Sequence, residues 1–170
     1  ITDYFKTVVQ TCDDLTPEIT GFIANLPTDQ TAATTSLMNM ITLMEDMDCT
    51  ESKEYMDLIN KYLELDPESP KALEMKAKIL EKQKKYRDAN AIYEKLIGLA
   101  EVTDERKAEL RYKIVVNVYN MGSYKAAYTK AMAIQGADRN KALVIAAQCV
   151  AATYDSCGES TFERKANFIY

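Results

Sequence analysis

Histidine and tryptophan are absent from this chain, and glycine (5), proline (4) and cysteine (4) are scarce among its 170 residues. The missing imidazole removes the usual general base, the side chain that titrates near neutral pH and the commonest metal ligand. Cys12, Cys49, Cys149 and Cys157 never fall at a C-x-x-C spacing, so a zinc site has neither of its usual foundations. No run approaches the roughly 18 apolar residues that a membrane-spanning helix requires. There is also no glycine-rich phosphate loop, no nucleophile elbow and no Ser-His pair. The sequence names no reaction, metal or cofactor, and the chain is expected not to be an enzyme.

What is present describes a folded helical protein. A hydrophobic fraction of 47% with 28% charged residues is ordinary for a chain that buries a core. The net charge of −5 is unevenly spread. Residues 1–50 carry one lysine against eight acids, whereas residues 101–170 carry ten bases against eight acids. No segment is basic enough to neutralise a phosphate backbone, which argues against nucleic acid as a partner. The clusters Asp13/Asp14 and Glu45/Asp46/Asp48 are adjacent acids rather than carboxylates converging from different elements, so they read as solvated faces. Calcium-loop spacing is not met between Glu45 and Glu51. The chain begins at Ile1 and stops at Ile169-Tyr170 on an apolar pattern, as expected for an excised or processed piece.

Apolar residues recur at helical spacing along the whole length, and strand alternation is missing. The expected fold is all-α, with about nine or ten helices in antiparallel pairs. Tyr4, Phe5, Val8 and Val9 share one face. Thr16-Pro17-Glu18 then starts a segment carrying Ile19, Phe22, Ile23 and Leu26, which Pro27 closes. Asp29 or a nearby threonine caps a methionine-rich helix from about Thr31 to Met47, and Thr50 is the expected cap of the next. Ser69 and Pro70 open a helix, Thr103 opens another, and Gly122 ends it. Asp138 opens a further helix, and Ser160 to Glu163 forms a capping box for a last one.

The stretch Tyr62 to Leu99 carries the most specific pattern. Leu73, Ala77 and Leu80 on one helix, and Tyr86, Ala89 and Tyr93 on the next, stand at the offsets of a tetratricopeptide repeat, with Pro67 where that family closes a repeat. Lys84 stands in place of the usual turn glycine, and Leu96 in place of the usual alanine. Gly122, Tyr124 and Ala127 repeat the signature downstream, behind Val115 and Val118. The chain thus resembles the tetratricopeptide repeat family. The resemblance implies one domain over residues 1–170, a short right-handed superhelix: N-terminal helices at 1–30, a divergent repeat at 31–67, the best-matching repeat at 68–101, another at 103–136 and a helix pair at 138–170. Asp155 to Ala166 is similar to the C-terminal segment of envelope-associated members of the family from Bacteroidetes, which implies a periplasmic, cell-envelope or secreted location.

The family binds an extended peptide or partner helix in a concave groove lined by its first helices. Carried onto this chain, those positions are Lys71, Glu74, Lys78, Glu81 and Lys82, with Glu109, Tyr112, Val116, Tyr119 and Asn120 in the downstream repeat and Met40, Met44 and Met47 in the divergent one. The methionine and tyrosine stripes read equally as core at helical spacing. Glu74 and Lys78 stand where the carboxylate-clamping members need a basic residue and asparagine, so that clamp is not expected. The resemblance implies a protein-interaction module or scaffold. A competing reading is a structural or adaptor segment of a larger envelope protein, its groove filled by its own N-terminal helices. In an oxidising compartment Cys149 could close a loop with Cys157, and Cys12 could pair with Cys49; otherwise the thiols serve as small apolar side chains.

Overall fold

The computed structural model describes residues 11–153. The expected helix around Tyr4 and the one beginning at Ser160 lie outside the described residues, as does the stretch Asp155 to Ala166. The described residues form eight α-helices and two short 3₁₀ turns, with no strand. The all-α fold read from the sequence is therefore the fold observed. The chain divides into two compact units between Gln83 and Lys84. That boundary falls inside the stretch with the clearest repeat pattern: Leu73, Ala77 and Leu80 belong to the first unit, and Tyr86, Ala89 and Tyr93 to the second.

The first unit contains a 3₁₀ turn, Cys12–Leu15, followed by α1 (Thr16–Ala24), α2 (Gln30–Asp46), α3 (Lys53–Leu65) and α4 (Pro70–Lys82). Asp29 starts α2 by accepting the amide of Ala32 at 2.8 Å, supplying one of the partners that the first turn lacks. For α3 the cap is Ser52, which accepts the amide of Tyr55 at 3.2 Å, and not Thr50. Thr50 lies two residues too early, and its hydroxyl takes a contact from Lys82 instead, at 3.4 Å. Ser69 precedes α4 but makes no capping hydrogen bond; Pro70 at the first helical position, with its fixed φ and no amide to satisfy, begins that helix.

Helix α3 is the centre of this unit, packing against α1, α2 and α4. Leu37, Ile41 and Met44 project from one face of α2 and meet Tyr55, Leu58 and Ile59 of α3, with Met75 and Ile79 of α4 completing the cluster. Each such side chain removed from water contributes about 1.5–3 kcal/mol. A disulfide between Cys12 and Cys49 ties the 3₁₀ turn to the turn between α2 and α3.

The second unit contains α5 (Tyr86–Gly98), α6 (Asp104–Asn120), α7 (Tyr124–Ala133), a 3₁₀ turn at Gly136–Asp138 and α8 (Arg139–Thr153). Thr103 caps α6 through the amide of Arg106 at 3.3 Å. Gly122 ends the same helix in the left-handed region, φ +74°, while the amide of Ser123 returns to the carbonyl of Val118 at 3.2 Å. Consecutive helices pack together, and α6 also touches α8. Ala131 on α7 and Ala142 and Ala146 on α8 bring small side chains to the buried cluster with Val115 and Ile134. Between α5 and α6 the buried amide of Asn117 donates to Asn90 Oδ1 at 2.9 Å, satisfying a polar group that burial would otherwise penalise.

Candidate functional site

A cavity of about 390 Å³ opens in the first unit between α4 and the end of α2 with the start of α3. One wall is α4, where Lys71, Lys78 and Lys82 recur at offsets of seven and four. At 100° and 1.5 Å per residue, that spacing puts three ammonium groups within about 40° of arc along roughly 16 Å of helix. The opposite wall comes from Glu45, Thr50 and Tyr55, and Met75 and Ile79, both rooted in the core, lie between them.

The charges in this groove are matched locally. Lys78 pairs with Glu74 at 3.2 Å, and Lys82 pairs with Glu51 at 3.3 Å across the turn. The Tyr55 phenol donates to Glu45 Oε1 at 2.8 Å. Burial, then that hydrogen bond and the Glu45 charge, push the Tyr55 phenol well above its ordinary pKa, so it stays a neutral donor. The result is a polar trough with an apolar base, suited to side chains that alternate in character. No group of three or more cysteine or acidic side chains comes together as a metal site among the described residues.

Three of the expected groove residues, Lys71, Glu74 and Lys78, are brought together here. Lys82 joins them, whereas Glu81 does not line the cavity. No residue from Thr11 to Leu26 lines it either. The methionine stripe requires correction. Met44 is wholly buried in the core, and Met40 and Met47 are half-buried against it, so α2 turns that stripe inward to pack on α3. In the second unit, half-buried Tyr112 packs against the Val115 and Ala142 cluster, with Lys141 Nζ 5.8 Å from its ring centre. Tyr119 leans on Tyr124, ring centres 5.4 Å apart. Val116 is half-buried, and Asn120 is exposed at the end of α6.

Comparison with known proteins adds nothing to these residues: no protein family, no curated protein and no solved structure matches this chain. The site therefore rests on its own geometry. Sequence reasoning missed Glu45 and Tyr55, which belong to the preceding helices α2 and α3, and Thr50, which lies in the turn between them. The one signal available was a tyrosine, with its polar end, in the otherwise apolar stripe of α3. Of the cysteines, Cys12 and Cys49 are bonded, with Cα atoms 5.5 Å apart. Cys149 carries a free buried thiol whose pKa burial raises, and Cys157, its expected partner, lies outside the described residues.

Proposed function

We propose that this chain is a protein-interaction module of the tetratricopeptide kind, which binds an extended peptide or partner helix in the groove along α4. The observation that carries this reading is the meeting of Lys71, Glu74 and Lys78 with Tyr55 and Glu45 around one open trough. Three further features support it. Within the first unit α3 packs with α2 and α4 and also with α1, and within the second α5/α6, α6/α7 and α7/α8 pack in sequence with α6/α8 as a next-but-one pair, the kind of local contact that helical repeats make. Lys84 adopts φ +59°, the backbone state that the family's turn glycine serves. The trough offers adaptable apolar area from Met75 beside paired charges, a surface for a partner rather than a site of bond making.

The Cys12–Cys49 bond supports a periplasmic, cell-envelope or secreted setting, because such bonds persist in oxidising compartments. Selection of displayed peptides on the intact protein tests the binding proposal. Selected peptides should bind the Lys71→Glu/Lys78→Glu double variant at least about tenfold more weakly, the loss of one or two charge-assisted contacts, while its melting temperature stays close to the parent's. Peptides that bind parent and variant alike would remove the groove from consideration.

A further inference from the structure

The second unit holds a cavity that the groove leaves unexplained. It measures about 230 Å³, less than the roughly 300–1,000 Å³ typical of sites for drug-sized ligands. Its contents must be correspondingly small. Ile114, Val115 and Ile134, all buried, form the apolar wall. Glu94 of α5, Arg111 of α6 and Lys130 of α7 stand around it.

These three charges differ from those of the groove. In the groove the lysines Lys78 and Lys82 already have carboxylate partners. Here Glu94, Arg111 and Lys130 make no hydrogen bond or ion pair among the described residues. Two cations and one carboxylate thus border a small apolar space without neutralising one another. A guanidinium favours a carboxylate, which it can grip through two parallel N–H groups, and the nearby ammonium adds to the attraction. Glu94 favours a cation. The buried wall favours a compact branched alkyl group, whose removal from water contributes in proportion to its area.

We infer that this cavity binds a zwitterionic aliphatic α-amino acid of about leucine's size. The ligand's carboxylate lies with Arg111 and Lys130, its ammonium with Glu94, and its side chain against Ile114, Val115 and Ile134. A fatty acid of the same length leaves Glu94 facing an alkyl chain, and an alkyl amine leaves both cations unmatched. Each end of the zwitterion gains a charge-assisted contact that the fatty acid or the alkyl amine lacks, so the site favours a ligand carrying both. This site stands whether or not the groove of the first unit binds a peptide.

Methyl NMR of the intact protein tests the assignment, with leucine, 4-methylpentanoate, leucinamide and N-acetyl-leucine added to millimolar concentration. Leucine should move the Ile114 and Ile134 methyl signals saturably, and the other three should bind at least about tenfold more weakly, since each lacks one charged contact. Arg111→Gln and Lys130→Gln, both at exposed positions, should weaken leucine by a similar factor without lowering the melting temperature. Glu94→Gln should weaken leucine while leaving N-acetyl-leucine unchanged. Absence of a saturable shift with leucine, or equal affinity in the Arg111 and Lys130 variants, overturns the site. Equal binding of N-acetyl-leucine overturns the free amino acid in favour of a peptide's last residue.

Discussion

Tyr55 and Glu45 join α3 to α2 through a single hydrogen bond of 2.8 Å, made at the point where the core becomes the groove wall. Tyr55 is only 3% exposed, whereas Glu45 faces solvent, so the bond is half in water. Tyr55→Phe should therefore cost about 1 kcal/mol, toward the low end for a bond to a charged group. The pH dependence has a definite sign. The folded phenol holds its proton to higher pH than the unfolded one, so its contribution is complete below about pH 10 and is lost as the pH rises further. Urea midpoints compared between parent and Tyr55→Phe should differ steadily near pH 8 and converge toward pH 11, about the range of tyrosine ionisation. A difference that stays constant across that range contradicts the buried donor.

The Cys12–Cys49 bond closes a segment with a sequence separation of 37 residues. Constraining a loop of that order in the unfolded chain stabilises the fold by about 3–4 kcal/mol. Replacing both cysteines with serine, or adding reductant, should lower the urea midpoint accordingly. Alkylation followed by intact-mass measurement should label two more thiols after reduction in denaturant. An unchanged label count excludes the bond.

Lys84 occupies the left-handed region at φ +59°, a state that costs a residue with a Cβ about 1–2 kcal/mol and glycine little. Lys84→Gly should thus raise stability by about 1 kcal/mol after the extra freedom of the unfolded chain is subtracted. Lys84→Ala should give no such gain. Equal effects of the two substitutions would mean that the gain came from removing charge beside Lys85.

Met44 has no exposed surface and sits among Ile41, Tyr55 and Leu58. Its replacement by alanine should cost about 2–5 kcal/mol in urea unfolding, the range for emptying a core site. Lys78→Ala, at an exposed position in the groove, should stay within about 0.5 kcal/mol. A mild Met44→Ala would return that methionine to the list of partner contacts.

Helical order was legible wherever its cause is local. Asp29, Pro70, Thr103 and Gly122 act within one turn of their own position, and each begins or ends a helix where its chemistry directs. Ser52 displaced Thr50 because both hydroxyls are competent and only the path of the turn after Cys49 chooses between them. Half of the groove was legible for a similar reason: Lys71, Glu74 and Lys78 share a face of one helix, which spacing alone dictates. Its other wall comes from residues 16 to 33 positions earlier than these and carries no periodic mark.

The sequence by itself therefore determined the all-α class, most helix ends, the absence of any membrane-length helix among the described residues and the lysine face of α4. These follow from the 3.6-residue period and from single-residue backbone preferences. Only the tertiary structure decided that Met44 points into a core while Lys78 borders an opening, that Cys12 reaches Cys49, and that Tyr55 meets Glu45. Each of these depends on which helix lies opposite, and a stripe of apolar or sulfur-bearing side chains reads the same whatever it faces.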